Sequence, residues 1–456
     1  MSTVREQKGG MRRRATRRAA INLGQQAENA RGCGRPTGSF DPITRWGGRM
    51  FNRAGVAAAC VVAGLMGPAS AEPITKPLTI AVLNDKSSVF SDAGGVGSVV
   101  AAELAIEDAG GKVRGQPVVL LAPDHQNKTD TGVTLARNLY DQQGVSAIFD
   151  IGNSSISLGV QELARERGKV VVHVGSATAD VFGKACSPTG AMWLYDTYSL
   201  AQGMAKSIVQ QGGDTWFFIT ADYAFGHAMQ AEVSKVVTAS GGKVLGAVRH
   251  PVGTMDFSSF LLQAKSSGAK IIALANASGD TVTNIKQARE FQIGEGDQKL
   301  AVLIFYLTSV HSLGAESMQG VQYLTGYYWD RDDASRAFGQ RFAAKHGGKM
   351  PTQAQAGVYS AVRHYLRAVE AANDNDGLTA MHKMKEMPVD DFFAPGARLR
   401  ADGRLMNDMY LVQAKAPKDV KSGWDLLTVK ARIKAEDIMR PIADGGCTHL
   451  DPPLKN

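Results

Sequence analysis

Residues 145–174 read VSAIFDIGNSSISLGVQELARERGKVVVHV. In this stretch a short apolar run at 145–151 precedes an amphipathic pattern at 155–167, and a second apolar run follows at 170–174. Short apolar strands that alternate with amphipathic helices are typical of a parallel sheet covered by helices on both faces. The stretch therefore predicts an α/β fold in which strand, helix and strand follow one another.

The same alternation continues in both directions along the chain. A first series of predicted strands and helices covers residues 77–174, and a second series of similar length covers residues 216–305. Two such arrays predict two lobes, each with a parallel sheet flanked by helices, that are joined near residues 192–198. Helices predicted at 334–345 and 355–372 are expected to pack on the first lobe, because the helices of its own array are too few to cover its sheet.

The predicted organisation has a leader that is removed, two hinged lobes built from two segments each, and a tail. Its boundaries are residues 1–71 for the leader, 77–197 plus about 330–405 for lobe 1, 198–329 plus about 406–430 for lobe 2, and 431–456 for the tail. Because the tail contains several prolines, we expect it to be irregular and held in place by Cys447.

The leader accounts for the basic character of the chain. Residues 1–71 contain 12 of the 51 Lys and Arg residues and 3 of the 43 Asp and Glu residues, which leaves 39 basic and 40 acidic residues in the remainder. The whole chain carries a net charge of +8, but without the leader it is nearly neutral. A nearly neutral chain has no overall positive potential that attracts phosphate groups. We therefore expect no binding to nucleic acid.

A secretory signal peptide is predicted at residues 50–71. Arg53 precedes the uncharged stretch 54–66, and a Gly-Pro pair and the small residues 69–71 follow it. A basic start, a short apolar core and small residues before a cleavage site, here before Glu72, are typical of such peptides. Because the apolar core is too short to span a bilayer, we expect a periplasmic protein whose mature chain has no transmembrane helix. Met50 stands where such a peptide would begin, so we expect translation to start there and residues 1–49 to be an upstream extension. A basic, disordered arm that binds a partner is the alternative for these residues.

Two cysteines remain after the predicted cleavage, Cys186 and Cys447. Cysteines of an exported chain usually pair, because the periplasm is oxidising. We therefore predict a disulfide between them, with two separate buried thiols as the alternative.

The motifs of many enzymes and metal proteins are missing from the sequence. None of the nine histidines lies three or four positions from another, and no Cys-x-x-Cys, His-Glu-x-x-His or Gly-x-Ser-x-Gly motif occurs. Gly95-Val96-Gly97 begins like a dinucleotide fingerprint, but Val100 stands where the third glycine is needed. We therefore predict neither catalysis nor a metal ion or other cofactor.

Two hydroxyl-rich turns follow neighbouring predicted strands. Asn153-Ser154-Ser155 comes after the strand that ends at 151, and Ser176-Ala177-Thr178 comes after the strand that ends at 174. Ligands of open α/β sheets bind at the carboxyl ends of parallel strands, where free N–H groups and hydroxyls suit a carboxylate. Ordinary capping of helix N-termini is the alternative role for these residues.

Aromatic residues form a second candidate group, because several fall in predicted loops or at the ends of predicted elements. Rigid rings at the mouth of a cleft can hold a small ligand between them, and packing in the interior is the alternative for each ring. The candidates are Phe90, Tyr195, Tyr198, Tyr223 and Phe225. Four further aromatic residues are expected in the core or at the hinge: Tyr306, Tyr327, Tyr328 and Trp329.

Several short segments of the chain carry a resemblance to a known family: the helix Ala102–Asp108, Gly115-Gln116-Pro117-Val118, the turns at 153–155 and 175–178, Asp222-Tyr223-Ala224-Phe225-Gly226, and Gln287-Ala288. Through these segments the chain is similar, from about residue 77 to residue 430, to the leucine/isoleucine/valine-binding family of periplasmic proteins. The resemblance implies a type I periplasmic binding fold with two hinged lobes. It also implies that a ligand trapped between the lobes is delivered to a membrane permease and its ATPase.

The resemblance also implies ligand contacts. By position, the ligand carboxylate falls to Ser155, Ser176 and Thr178. The second-lobe tyrosine of the family falls on Tyr223, and its contact at the lobe junction falls near Tyr198. The remaining predicted contacts are Phe90, Ser154 and Asn276.

One departure from the family concerns the amino group of an amino-acid ligand. Members that bind amino acids place an acid and an aromatic residue of the second lobe against the ammonium group. The corresponding loops here, 276–278 and 307–309, read Asn-Ala-Ser and Leu-Thr-Ser and contain no acid. Asp196, Asp222 or Asp280 could substitute. Because an ammonium group without such partners is poorly compensated, a carboxylic acid without an amino group is a rival ligand.

These observations together predict the periplasmic solute-binding component of an ABC importer. We expect a monomer that captures a small carboxylate-bearing solute, either an amino acid or an aromatic or organic acid, by closure of its lobes. A ligand-sensing partner of a membrane receptor and a secreted enzyme on the same scaffold are the alternatives.

Overall fold

The computed structural model describes residues 74–294 and 296–450 of the chain. The predicted leader, with its signal peptide, lies outside the described residues. The first sheet consists of six strands, β1 (Leu78–Leu83), β2 (Lys112–Val113), β3 (Gln116–Leu121), β4 (Ala147–Asp150), β5 (Val170–His173) and β6 (Gly190–Met192). Three helices connect these strands, α1 (Gly95–Asp108), α2 (Thr129–Asp141) and α3 (Ser154–Glu166).

The first sheet has the strand order β2-β3-β1-β4-β5-β6. Its neighbouring strands are parallel, except for β2 and β3, which pair in antiparallel fashion. Every residue of β4 and β5 is buried, as expected for parallel strands that helices cover on both faces. The carboxyl ends of β1, β4 and β5 therefore lie side by side at one edge of the sheet.

The second sheet repeats this design with four parallel strands. They are β7 (Thr215–Ala221), β8 (Lys243–His250), β9 (Ile271–Ala275) and β10 (Lys299–Val302), in the order β10-β9-β7-β8. The helices of this part are α4 (Thr197–Gln210), α5 (Ala224–Ala239), α6 (Ser258–Ser266), α7 (Ser278–Glu290), α8 (Leu307–Leu313) and α9 (Ala315–Met318). The predicted α/β fold with two parallel sheets is thereby confirmed.

Helices from the later part of the chain pack against the strands and helices of the first sheet. They are α10 (Asp333–Lys345), α11 (Gln353–Ala372) and α12 (Gly377–Glu386). Helix α11 begins with a reciprocal capping box between Thr352 and Gln355. It packs against α1 and β4, whereas α12 packs against β5.

A third, antiparallel sheet corrects an expectation from the sequence. It contains β11 (Gln322–Thr325), β12 (Met409–Ala414) and β13 (Leu427–Ile433). The predicted tail is therefore not irregular throughout, because β13 continues to Ile433 and helix α13 (Ala435–Ile438) packs on α4. Pairing with β12 holds these residues in a regular conformation that the proline content alone did not indicate.

A buried ion pair fastens two of the segments that connect the sheets. Arg404, which precedes β12, donates from Nε to Asp196 Oδ2 at 2.9 Å, and both side chains are fully buried. The same guanidinium group donates to the main-chain oxygen of Leu194 at 3.0 Å. Asp196 also caps helix α4, because its Oδ1 accepts from the Ser199 N–H at 2.9 Å. This pair therefore joins the segment between β6 and α4 to the segment before β12.

The predicted disulfide between Cys186 and Cys447 is present, with a Cα–Cα distance of 5.5 Å. It connects the C-terminal segment to the chain that follows the short 3₁₀ helix Ala179–Phe182. Within residues 74–294 and 296–450, no helix is both long enough and apolar enough to cross a membrane.

Candidate ligand-binding site

A cavity lies where the carboxyl ends of both parallel sheets meet. One wall is formed by the segments that follow β1, β4 and β5, and the other wall by the segments that follow β7, β9 and β10. The cavity is narrow in this arrangement, because the volume open to water inside it is only about 20 Å³. This is the location at which open α/β sheets bind ligands.

Hydrogen bonds between the two walls show that the lobes are closed. The Gly279 N–H donates to Val89 O at 3.2 Å, and the Thr308 hydroxyl donates to Asp92 O at 3.2 Å. The Ala224 N–H donates to the Ser155 hydroxyl at 3.4 Å. In each bond the donor belongs to the second-sheet side and the acceptor to the first-sheet side.

The two hydroxyl-rich turns lie next to each other. Ser154 Oγ accepts from the N–H groups of Ala177 and Thr178, at 3.4 and 3.3 Å. Ser154 lines the cavity and is buried. Since it accepts both of these bonds, its own O–H remains for donation.

The three residues expected to hold the carboxylate do not line the cavity. Ser155 bonds across the cleft to Ala224, and Thr178 Oγ1 accepts from the Asp180 N–H at 3.4 Å and so caps the 3₁₀ helix that follows. Ser176 is buried, and its hydroxyl has no hydrogen-bond partner among the described residues. Thr178 therefore caps a helix N-terminus, which is the alternative role considered for these turns.

Aromatic rings from both sides form much of the cavity wall. The rings of Phe90 and Tyr223 face each other across the cleft with centroids 6.2 Å apart, and Phe225 lies 5.8 Å from Tyr223. Tyr306, expected in the core or at the hinge, also lines the cavity. Its hydroxyl is 2.5 Å from that of Tyr195, which in turn donates to a main-chain oxygen. Burial raises the pKa of Tyr223 and of Tyr306, so these phenols stay neutral.

Two other predicted contacts lie elsewhere. Tyr198 belongs to the first turn of α4, and its ring faces the guanidinium of Arg440 at 6.0 Å. Asn276 is fully buried but is engaged within its own lobe, because its Oδ1 accepts from Thr281 at 2.8 Å and its Nδ2 lies 3.2 Å from His250 Nε2. Neither residue lines the cavity; Ala277 and Ser278, which follow Asn276, do.

Asp150 is a cavity residue that the sequence reasoning missed. It is the last residue of β4, it is buried, and its Oδ2 accepts from Asn84 Nδ2 at 2.9 Å. Burial raises the pKa of this carboxyl, and hydrogen bonding to its neighbours only partly opposes the rise. In the sequence it looks like the end of an apolar strand. The signal that could have found it is an acid at the carboxyl end of a buried parallel strand.

The three acids considered for an ammonium group do not reach the cavity. Asp196 pairs with Arg404, and Asp222 is exposed and lies 2.8 Å from His227 Nε2. Asp280 accepts from the Gly253 N–H at 3.0 Å, and burial raises its pKa to about 7. Within the part of the chain that the structure describes, no group of three or more His, Cys, Asp or Glu side chains could hold a metal ion.

Three long helices begin at the cavity. The residues before α1, α5 and α7 are Gly94, Tyr223 and Ala277; all three line the cavity, and none of them caps its helix through a side chain. Uncapped helix N-termini present N–H groups and a partial positive charge. The cavity therefore combines a partly positive environment from the backbone with the acidic side chain of Asp150.

Comparisons with known proteins agree with this architecture. The model of the periplasmic binding protein family matches residues 77–421. A periplasmic binding protein from Burkholderia mallei is 42% identical, with 82% of this chain and 99% of that chain covered and a TM-score of 0.80. A branched-chain amino acid ABC transporter periplasmic ligand-binding protein from Burkholderia xenovorans is also 42% identical, with the same coverage and a TM-score of 0.71.

A curated relative points to the same group. The Leu/Ile/Val-binding protein homolog 8 of Brucella abortus is 27% identical over 204 residues, which are 41% of this chain. The match spans about half of that relative, 49% of its length. The proteins of this family are solute-binding proteins rather than enzymes. The chain therefore belongs to the leucine/isoleucine/valine-binding family of periplasmic solute-binding proteins of ABC transporters, and it has the two-lobed type I fold of that family.

Proposed function

We propose that the protein is the solute-binding component of an ABC importer and that it captures a small carboxylate-bearing solute, an amino acid or an aromatic or organic acid, when its lobes close. The observation that carries this proposal is the cavity itself. It lies at the carboxyl ends of both parallel sheets, and hydrogen bonds from Gly279, Ala224 and Thr308 close it. A ligand that contacts both walls stabilises the closed arrangement by its differential affinity for that state.

The backbone supports binding of a carboxylate. As far as the chain is described, no Lys, Arg or His side chain lines the cavity. Positive potential comes instead from the N-termini of α1, α5 and α7. The Ser154 hydroxyl can donate one further hydrogen bond, whereas Ser155 accepts a bond from Ala224 across the cleft and Thr178 caps the 3₁₀ helix that follows.

The aromatic walls support a ligand with a compact apolar or aromatic part. Phe90 and Tyr223 belong to opposite walls, and their ring centroids are 6.2 Å apart in the closed arrangement. Rings that approach from two lobes bury apolar ligand surface only when the lobes close. We therefore place the apolar part of the solute between these two rings and Phe225.

The proposed partners follow from the family. The signal peptide at 50–71 directs export to the periplasm, where the protein acts as a monomer. Its closed form delivers the solute to the ABC permease and its ATPase in the inner membrane. The proposed hinge divides the chain into lobe 1 (77–197 and about 330–405) and lobe 2 (198–329 and about 406–430).

A thermal-shift screen tests the proposed function. The exported protein is purified from the periplasm, freed of bound solute by partial unfolding and refolding, and mixed with amino acids, aromatic acids, aliphatic acids and uncharged sugars. Ligands that bind the folded state raise Tm by mass action. We expect a rise with at least one carboxylate and none with sugars. A rise only with uncharged solutes contradicts the proposal.

A further inference from the structure

The C-terminal segment of the chain runs from the second lobe to the first. After β13, helix α13 packs on α4, and α4 packs on α5, which lies against the second sheet. The chain then continues to Cys447, which is linked to Cys186 on the side of the first sheet. Residues 438–447, which we call the strap, therefore connect the two lobes in addition to the main-chain crossings of the proposed hinge.

The second-lobe end of the strap packs into a space that a glycine leaves open in α4. A Cβ atom at Gly203 would lie 2.7 Å from Ile438 Cδ1. Ile438 is buried, and α13, to which it belongs, packs on α4. A contact this close requires a residue without a side chain. Ile438 therefore attaches the strap to the second lobe.

The first-lobe end of the strap packs against a second glycine. A Cβ atom at Gly183 would lie 2.6 Å from Arg440 Nη2 and 2.8 Å from Gly445 O. Arg440 Nη2 donates to Ala179 O at 2.8 Å, and Arg440 O accepts from Arg400 Nη1 at 2.8 Å. The strap thus contacts the first lobe through both a side chain and the main chain.

The guanidinium group of Arg440 contacts both lobes at once. Its central carbon lies 4.9 Å from the ring centroid of Phe182 in the first lobe and 6.0 Å from that of Tyr198 in the first turn of α4. A guanidinium group is attracted to an aromatic face at these distances. Together with the hydrogen bond to Ala179, these contacts place one cationic side chain against both sides of the proposed hinge.

The strap has little slack between its two attachments. Ile438 and Arg440 are two positions apart, and two residues span at most about 7 Å when fully extended. The strap lies beside the buried Asp196–Arg404 pair, because Arg404 Nη2 is 2.9 Å from Met439 Sδ. Near a hinge, a small displacement corresponds to a much larger one at the mouth of the cleft. Wide opening therefore has to break one of the two attachments.

We propose that the strap opposes opening of the lobes and so raises the closed fraction of the empty protein. The contacts of Arg440 are the ones that opening breaks, because Ile438 is held by apolar packing on two elements of the second lobe, α4 and β11. The seven residues from Arg440 to Cys447 can extend over roughly 25 Å, so the disulfide permits opening and keeps the detached segment close to Gly183. The inference rests on the proposed hinge but not on the identity of the solute.

Single-molecule FRET on the protein freed of solute tests this inference. Dyes are attached through azide-bearing amino acids at Glu103 and Met255, two exposed positions of the first and the second lobe, so that the native disulfide stays intact. The populations of low and high transfer efficiency give the ratio of open to closed molecules. We expect Arg440→Ala to raise this ratio by roughly fivefold, the size expected for the loss of one hydrogen bond.

Gly183→Ala is the second variant, because its methyl group displaces the strap without removing a charge, and we expect a change in the same direction. Arg336→Ala and Gly423→Ala are the matched controls. Arg336 pairs with Asp330 and Asp333 of its own segment, and a Cβ atom at Gly423 meets nothing within 4 Å. Both controls should keep the wild-type ratio. The two test variants alter opposite sides of one contact, so either can decide the matter if the other does not fold.

The outcomes separate this inference from the proposed function. A wild-type ratio in Arg440→Ala and Gly183→Ala, or an equal rise in the controls, overturns the inference and leaves the proposed function standing. The wild-type protein is also measured with the solute that gives the largest Tm rise in the thermal-shift screen, and we expect the open population to be lost. If the wild type shows one unchanged transfer efficiency with and without this solute, the proposed closure and the inference are both wrong.

Discussion

At the scale of single residues, two glycines make room for the Asp150 carboxylate. A Cβ atom at Gly94 would lie 2.8 Å from Asp150 Oδ2, and one at Gly175 would lie 2.7 Å from Oδ1. Asp150 itself adopts a left-handed conformation with φ of 77°, which is unfavourable for most residues. A strained acid between two residues without side chains is consistent with a position kept for binding rather than for packing.

Gly175→Ala is expected to displace the Asp150 carboxylate. The new methyl group would also lie 3.0 Å from Gly152 Cα. The methyl group therefore has little room to move away from the carboxylate. We expect the free energy of unfolding to fall by about 1–3 kcal/mol and ligand affinity to fall by roughly tenfold, equivalent to about 1.4 kcal/mol. Calorimetric titration measures the affinity. Gly423→Ala, where a Cβ meets nothing within 4 Å, serves as the control, and equal effects of both substitutions would contradict the assignment.

Asp280 provides a pH-dependent prediction. Burial raises its pKa from 3.8 to about 7 in the folded protein, so the folded state binds this proton more tightly than the unfolded state. Its contribution to stability is therefore largest below pH 4 and is lost as pH rises through 7. The free energy of unfolding of Asp280→Asn, minus that of the wild type, should therefore be larger at pH 8 than at pH 5. Urea unfolding at both values measures the difference, which is expected to be a few kcal/mol at most because each pKa unit corresponds to about 1.4 kcal/mol. The same difference at both pH values would show that Asp280 titrates normally.

At the scale of elements, a buried ion pair joins two of the segments that connect the sheets. The Asp196–Arg404 pair is fully buried and is supplemented by bonds from Arg404 to the main chain. A buried pair of this kind contributes little net stability compared with apolar residues, but the loss of one partner leaves an uncompensated charge. The pair therefore specifies how the connecting segments fit together.

Arg404→Leu is expected to lower the free energy of unfolding by about 3–5 kcal/mol, because Asp196 is left buried and unpaired. The double variant Asp196→Asn with Arg404→Leu removes the orphan charge, and asparagine remains a good N-cap for α4. We expect this double variant to be more stable than Arg404→Leu alone. Urea unfolding of the wild type, both single variants and the double variant gives the coupling energy, and a coupling energy near zero would argue against the pair.

At the scale of the whole molecule, long-range links hold together regions that are distant in sequence. The Cys186–Cys447 disulfide closes a loop with a sequence separation of 261 residues. Neither cysteine lines the cavity, so the link affects the stability of the fold without contributing to the site. Helix α11, which follows the second array in sequence, packs on α1 of the first sheet. The molecule is therefore assembled from interleaved segments.

The double variant Cys186→Ala with Cys447→Ala is expected to be destabilised by up to about 5 kcal/mol, because the chain-entropy model assigns more stabilisation to longer loops. Ligand affinity should remain within twofold of the wild type. Urea unfolding of the oxidised wild type and the variant measures the first effect, and calorimetry measures the second. An unchanged unfolding midpoint would show that the link does not restrict the unfolded chain.

Local patterns in the sequence were sufficient for the fold class and for part of the site. The alternation of apolar strands and amphipathic helices reflects which faces of each element are buried, and the spacing of residues that are close in sequence reveals it. It therefore predicted both parallel sheets. The aromatic residues of predicted loops, the hydroxyl-rich turn and the family resemblance suggested Phe90, Ser154 and Tyr223, and all three line the cavity. Local patterns were less successful with β12, whose partner β11 is distant in sequence, and with β13, which pairs with β12.

Only the tertiary structure decided which side chains face the cavity. Ser154 and Ser155 are neighbours at the start of one helix, yet Ser154 lines the cavity and Ser155 bonds to the opposite lobe. Successive helical residues point in directions about 100° apart, and a hydroxyl-rich motif does not reveal which direction meets the cleft. Asp150 and Tyr306 became site residues because strands and loops far apart in sequence converge there. The sequence by itself determined the alternation and therefore the two sheets; the approach of the two sheets determined the chemistry of the space between them.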